Sequence, residues 1–431
     1  MPSRSTSSRP VVLASLNAAV AALLVLNGCQ VYDFEPVTPL ALGQTSQVTT
    51  LTVTPFKPNL MLLVDKSGSM DLPIDTTDLA CFTAPGGEVC GQDKAYPCDV
   101  MSCPTRWSTL STTLTEFLQV DDTAARYGLT FFPQPPDANV ANQCIPTLAI
   151  QAPIPITADD TPESLANLAD AGIAALATVQ SANQQGPTGT GGGTPTGDSF
   201  KYFNSNPGAV VDPVRDAYIL LLTDGLPNCN SSLNPATCVC TLESDQDCQD
   251  TQPAGIGCLD DVATVNVIGE LKSVQKITTV VLGFGADTAA PAAAATLQAM
   301  AIAGGFAPRL CPNKTQDCGP TNPCDLSTGL CSKQYYEATD ATSLADALNQ
   351  IYTGVGAKAC VVPLEVTPTN EDLISVLVNG NPVLSGPDTW SYQPADGGTP
   401  TLVFVGSLCT EIQASSKADP LQLQIRIVTP L

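Results

Sequence analysis

The stretch Asn59-Leu60-Met61-Leu62-Leu63-Val64-Asp65-Lys66-Ser67-Gly68-Ser69-Met70 decides how the chain is read. An apolar run, Leu60 to Val64, stops abruptly at Asp65, and Ser67 and Ser69 follow around Gly68. A run of this length bounded by small polar residues predicts a buried strand entering a tight loop. The loop carries one carboxylate and two hydroxyls at i, i+2 and i+4. That is a set of hard oxygen ligands suited to Mg²⁺, Mn²⁺ or Ca²⁺.

Working outward from this strand, helical and strand patterns alternate. Trp107, Leu110, Leu114, Phe117 and Leu118 fall on one helix face. Strands are expected at Tyr127–Phe132 and, shorter, around Leu148–Ala152. Thr161 and Pro162 read as N-cap and first helical residue, with Leu165, Leu168, Gly172, Leu176 and Val179 on the buried face. A Gly/Thr loop, Thr188–Gly197, precedes a short helix from Asp198. The apolar strand Ala217–Leu222 ends in Thr223-Asp224-Gly225. Next come a helix over Val262–Val274, a strand over Ile277–Leu282, a helix over Thr288–Ala303 and a short strand at Tyr335–Glu337. Leu344, Leu348, Ile351 and Val355 mark a closing helix. This alternation predicts an α/β fold, a doubly wound, mainly parallel, Rossmann-like sheet spanning 58–356. From Cys360 the pattern turns β-like, at Val361–Val366, Leu373–Val378, Thr401–Val405 and Leu421–Val428, which predicts a small all-β module over 357–431 without a helix.

Composition narrows the function. The 431 residues contain 17 Lys and Arg against 41 Asp and Glu, a net charge of −24, so the surface repels nucleic acid and anionic lipid. There is no histidine, which excludes His-based acid–base catalysis and every His-containing zinc site. At the N-terminus Arg4 and Arg9 precede an apolar segment, Val11 to Leu26, and the sequence Leu26-Asn27-Gly28-Cys29. This resembles a bacterial lipoprotein signal peptide over 1–28, with Cys29 as the lipidated residue and 29–57 as a tether. The resemblance implies export and a lipid anchor in the cell envelope, with Gln30 pointing to the outer membrane. Of the 17 Cys, 16 then remain, an even number that reads as a disulfide framework; Cys₄ zinc is the alternative. Three Cys-rich insertions fall near 71–104, 226–258 and 310–331. The lone Cys144 balances the odd count of the second and is expected to pair with it, and Cys360 is expected to pair with Cys409.

Ligands of an open α/β sheet bind beyond the carboxyl ends of its strands. Asp65 and Asp224 each follow a predicted strand, and the Gly/Thr loop can reach the same edge. Asp65-x-Ser67-x-Ser69, the Gly-Gly-Thr194-Pro-Thr196-Gly loop and Thr223-Asp224-Gly225 together resemble the metal-ion-dependent adhesion site of a von Willebrand factor type A domain. The resemblance covers roughly Pro58 to Val355, apart from the insertions. It implies that Ser67 and Ser69 bind the metal directly and that Asp65 and Asp224 bind directly or through water. It also implies that Thr194, with Thr196 as the alternative, is a ligand whose engagement changes with conformation. Mg²⁺ is the first expectation, with Mn²⁺ or Ca²⁺ as alternatives. Neutral hydroxyls leave such a cation electrophilic, open to a carboxylate from a protein, peptide or glycan partner. No Lys-Ser or Lys-Thr follows the glycines, so a phosphate-binding loop is unsupported, and the acidic pieces near Glu243–Asp247 and at Asp317 lack the spacing of an EF-hand loop. The sequence therefore reads as a non-enzymatic, metal-dependent adhesive lipoprotein. A structural envelope scaffold and a metal-dependent hydrolase are the alternatives.

Overall fold

The computed structural model describes residues 46–430, apart from 54–56, 121–124, 136–143, 156–159, 180–191, 251–254, 286–287, 307–317, 319–321, 328–329, 395–399, 416–420 and the single residues 85, 94, 214, 243, 289, 359, 365 and 369. The segment read as a signal peptide, Cys29, most of the segment read as a tether and the first part of the Gly/Thr loop lie outside the described residues. Two compact units are distinguished, Met1–Val48 with Val428–Leu431, and Thr49–Ile427. In the first, the described residues are extended, as parts of strands Ser46–Val53 and Leu423–Pro430. The second contains the parallel sheet and the helices that cover it. No helix of the described residues is long and apolar enough to cross a membrane.

Five strands form a parallel sheet: β1 (Asn59–Asp65), β2 (Arg126–Phe132), β3 (Ala217–Thr223), β4 (Ile277–Phe284) and β5 (Tyr336–Ala338). Their order is β2-β1-β3-β4-β5. Every residue of β1 to β4 is buried, which explains why Leu60–Val64 and Ala217–Leu222 read as continuous apolar runs: a parallel sheet is covered on both faces. Successive side chains alternate between those faces. Leu60, Leu62, Val64, Leu220 and Leu222 enter one core, with α1 (Arg106–Val120), α2 (Pro162–Ala177) and α6 (Ala341–Lys358). Met61, Leu63, Ile219 and Leu221 enter the other, with α3 (Thr196–Ser205), α4 (Asp261–Glu270) and α5 (Pro291–Gly304). Three helices on each face make the sheet doubly wound, as expected. The predicted faces of α1 and α6 are the buried ones, and Thr161 caps α2 by accepting from the Ser164 amide at 3.2 Å.

Two local expectations fail for identifiable reasons, and one expected helix changes form along its length. Around Leu148–Ala152 there is only one antiparallel bridge, Leu129 to Ala152. The Gln134 side chain takes the Leu148 and Ala149 amides (2.9 and 3.1 Å) and the Ala149 carbonyl (2.9 Å), groups that a ladder would use. The helix expected over Val262–Val274 ends at Glu270 and continues as a π turn, Leu271–Gln275. There Ser273 donates back to the Gly269 carbonyl at 2.8 Å, a contact that bends helices. The C-terminal region does have two antiparallel sheets. One joins Val361–Pro363, Thr401–Phe404 and Trp390–Gln393; the other pairs Ile374–Val378 with Leu423–Pro430 and Asn381–Val383. It also contains a helix, α7 (Gly406–Ala414), that the sequence pattern missed. Leu408 and Ile412, one turn apart, are its only long apolar contribution to the core, too few for a helical signature.

The described residues hold seven disulfides. Cys81–Cys103 and Cys90–Cys98 staple the first insertion; Cys238–Cys258 and Cys240–Cys248 staple the second. Cys318–Cys331 lies in the third, and Cys360–Cys409 ties α7 to its module. Cys144 pairs with Cys229, in the block that the odd count pointed to.

At the amino edge of the sheet, buried charges are paired with charges of opposite sign. Arg215 bonds Asp160 at 2.7 Å, and Arg126 lies 3.7 Å from Asp212 and 3.8 Å from Asp160. At the end of α5, a Cβ on Gly304 would stand 2.3 Å from the Thr279 carbonyl oxygen of β4. Gly304→Ala is therefore expected to lower stability by about 1–3 kcal/mol through overpacking, although alanine is the better helix former. Denaturant unfolding checks this, and a raised midpoint would contradict it.

Candidate metal centre at the sheet edge

The strand order 2-1-3-4-5 reverses direction between β1 and β3, and that switch point is where open α/β sheets bind ligands. Val64 of β1 lies opposite Leu222 of β3. Asp65 and the Thr223-Asp224 step therefore leave the sheet side by side. Both aspartates are fully buried, Ser67 and Thr194 nearly so, and Ser69 is half-buried.

Asp65 turns the chain. Its Oδ1 accepts from the Ser67 amide at 2.8 Å, fixing the loop that presents the hydroxyls. Its Oδ2 accepts from the Thr223 hydroxyl at 2.6 Å. The Ser67 and Ser69 Oγ atoms are 3.1 Å apart, and Ser69 donates to Asp224 Oδ1 at 2.8 Å. The Gly68 amide donates to the Gly192 carbonyl at 3.0 Å, bringing the Gly/Thr loop in. A Cβ on Gly225 would lie 3.7 Å from Ser69 Oγ and 3.9 Å from Thr194 Oγ1. Glycine there keeps open a space bordered by hydroxyls from two different segments. The Thr196 hydroxyl instead leans back on the Thr194 carbonyl at 3.4 Å, so geometry favours Thr194 over Thr196. The structure thus brings all five sequence-chosen oxygen donors, Asp65, Ser67, Ser69, Thr194 and Asp224, to one place.

Electrostatics decides what such a place accepts. Burial, and then the neighbouring Asp224 charge, push the Asp65 carboxyl up to about 7, against the hydrogen bonds from Thr223 and Ser67 that pull it down. Both of its hydrogen-bond donors are neutral. A buried carboxylate of this kind is stabilised by a proton or by a cation. The donor set, hydroxyls and carboxylates without nitrogen or sulfur, fits a hard divalent ion. The sulfurs of Cys90, Cys98 and Cys103 also lie together, but they belong to the two disulfides of the first insertion and offer no thiolate.

Two neighbours were not foreseen. Arg106, the first residue of α1, is buried and donates from Nη1 to Asp224 Oδ2 at 2.8 Å. In the sequence it is the polar start of an amphipathic helix; its partner is 118 residues away. Gly285, at φ 104°, lets it pass: a Cβ there would lie 3.1 Å from Arg106 Nε. Asn228, four residues past Asp224, holds the Thr194 backbone, its Oδ1 accepting from the Thr194 amide at 2.7 Å.

No protein-family model and no curated protein matches the chain. Solved structures similar to it include the pilus adhesin SpaC from Lactobacillus rhamnosus GG, 13% identical, covering 90% of this chain and 41% of that one at a TM-score of 0.39. The PilB minor pilin from Streptococcus sanguinis is 16% identical, covering 69% and 61% at 0.35. Manganese-loaded TRAP protein from Plasmodium vivax is 14% identical, covering 56% and 62% at 0.27. The chain thus spans less than two thirds of each, and likeness at these scores carries no argument about function.

The raised Asp65 pKa makes a signed prediction for the chelated protein. The folded state keeps a proton that the unfolded state releases near the ordinary value of 3.8. The stability from this group is full below that pH and is lost as pH rises through about 7. Thermal unfolding in chelator should show this decline, and Asp65→Asn should flatten it. An unchanged slope in Asp65→Asn would contradict the assignment.

Proposed function

We propose that the chain is a cell-envelope lipoprotein, anchored through Cys29, that captures a protein, peptide or glycan partner through a divalent cation. Asp65, Ser67, Ser69, Thr194 and Asp224 would hold the cation, Mg²⁺ first and Mn²⁺ or Ca²⁺ as alternatives. The carrying observation is the convergence of hydroxyls and buried carboxylates from three segments at the switch point, around a carboxylate whose hydrogen-bond donors are neutral. The resemblance of these segments to a von Willebrand factor type A adhesion site supports the same reading. In this reading 1–28 is the signal peptide, 29–57 a tether, 58–356 the adhesive domain and 357–431 a β-rich module.

The cation, when bound, supplies an electrophilic position for a partner carboxylate. The chain's own residues orient it and limit its charge. Ser67 and Ser69 contribute no charge, and Arg106 already offsets part of Asp224. Such a site binds without needing a general acid or base, in keeping with a chain that has no histidine.

A second reading has its own observation. The buried Arg106–Asp224 pair neutralises one carboxylate internally, which favours a scaffold that needs no metal-dependent ligand. The two separate in one assay. The immobilised full-length chain is expected to retain envelope proteins or glycans in Mg²⁺, to release them on chelation, and to lose capture in Asp65→Ala. Capture that survives both treatments would contradict the adhesive reading and favour the scaffold.

A further inference from the structure

The second Cys-rich insertion reaches back over the edge and grips the main chain of Thr194 from both sides. Asn228 Oδ1 accepts from the Thr194 amide at 2.7 Å, and the Asn228 amide donates to the Thr194 carbonyl at 2.9 Å. Asn228 is itself held. Its Nδ2 donates to Thr241 Oγ1 at 3.0 Å, and that hydroxyl donates to the Gly257 carbonyl at 2.7 Å. The next residue, Cys229, has a left-handed φ of 76°, donates its amide to the Ile256 carbonyl at 2.7 Å and is bonded to Cys144. A Cβ on Gly193 would lie 2.5 Å from Cys229 Sγ and 3.2 Å from Cys144 Sγ. The disulfide therefore stands against the backbone immediately before Thr194.

A residue held at its amide, its carbonyl and its preceding Cα keeps its backbone and Cβ in one place, so its hydroxyl can move only by side-chain rotation. We propose that Asn228 and the Cys144–Cys229 disulfide are positioning elements that lock Thr194 toward the cation position, so that the site keeps one geometry with or without its ion. This rests on the reading of Asp65, Ser67, Ser69, Thr194 and Asp224 as a cation site. It departs from the conformational change of Thr194 that the family resemblance implies. A ligand fixed in advance costs no ordering when the cation arrives, and its supporting residues then govern affinity without touching the ion.

The test is Mn²⁺ titration of the full-length chain, following free Mn²⁺ by electron paramagnetic resonance. Asn228→Ala and the double variant Cys144→Ser/Cys229→Ser should each weaken binding by about tenfold or more. Asn228→Asp, which keeps the acceptor for the Thr194 amide, should recover most of the loss. Thr194→Val should weaken binding too, and adding Asn228→Ala to it should cost nothing further, because Asn228 acts through Thr194. A merely structural role would instead add its loss to that of Thr194→Val. Should Asn228→Ala not fold, the disulfide variant and Asn228→Asp decide. Wild-type affinity in Asn228→Ala and the disulfide variant, wild-type affinity in Thr194→Val, or additive losses would each overturn the lock. Absence of Mn²⁺ binding by the wild-type chain would overturn the cation site itself.

Discussion

Asp65 is a fully buried carboxylate with two neutral hydrogen-bond donors and a second carboxylate beside it. Much of this edge can be understood as the consequence. Such a group is held only by a proton or by a positive charge. The parallel sheet creates the problem by delivering Asp65 and the Thr223-Asp224 step from adjacent strands. The loops answer it in two ways. Arg106 enters from α1 to meet Asp224, and hydroxyls from Ser69 and Thr194 border a space that Gly225 leaves open, with Ser67 beside Ser69. The amino edge of the same sheet is a useful contrast. There Arg126 and Arg215 match Asp160 and Asp212, and the charges close among themselves.

The disulfides have different tasks in different places. In the first insertion, Cys81–Cys103 and Cys90–Cys98 stand in for a core that a short segment cannot build. Cys144–Cys229 spans 85 residues and joins the loop after β2 to the loop after β3, beside the ligand loop. That placement is what makes it a candidate for control of the site and not of stability alone. The insertion it belongs to begins directly after Gly225, and its Asn228 lies against Thr194.

The legible parts of the chain were those whose signal is local. Leu60–Val64 and Ala217–Leu222 announce themselves because strands covered on both faces must be apolar throughout. Asp65, Ser67, Ser69 and Asp224 stand out because polar residues follow those runs without transition. The pairing of Cys144 with the second insertion followed from an odd count, though counting could not choose Cys229. What stayed hidden depends on partners distant in sequence. Arg106 finds Asp224 only once α1 has packed, and Asn228 finds Thr194 across a gap of 34 residues. Gln134 removes a strand by occupying backbone groups, which no periodicity records. In α7, two long apolar residues were too few to reveal a helix that a disulfide also ties to its module.

Hydroxyls and carboxylates at the β1–β3 switch point are proposed to hold a divalent cation. The most direct measurement is the anomalous difference density of a crystal of this chain grown in Mn²⁺. The expected result is a peak bordered by the Ser67, Ser69 and Thr194 hydroxyls and the Asp224 carboxylate, with Arg106 still bonded to the other Asp224 oxygen. A map without a peak there, with Asp224 paired to Arg106 and the hydroxyls bonded to one another, would contradict it.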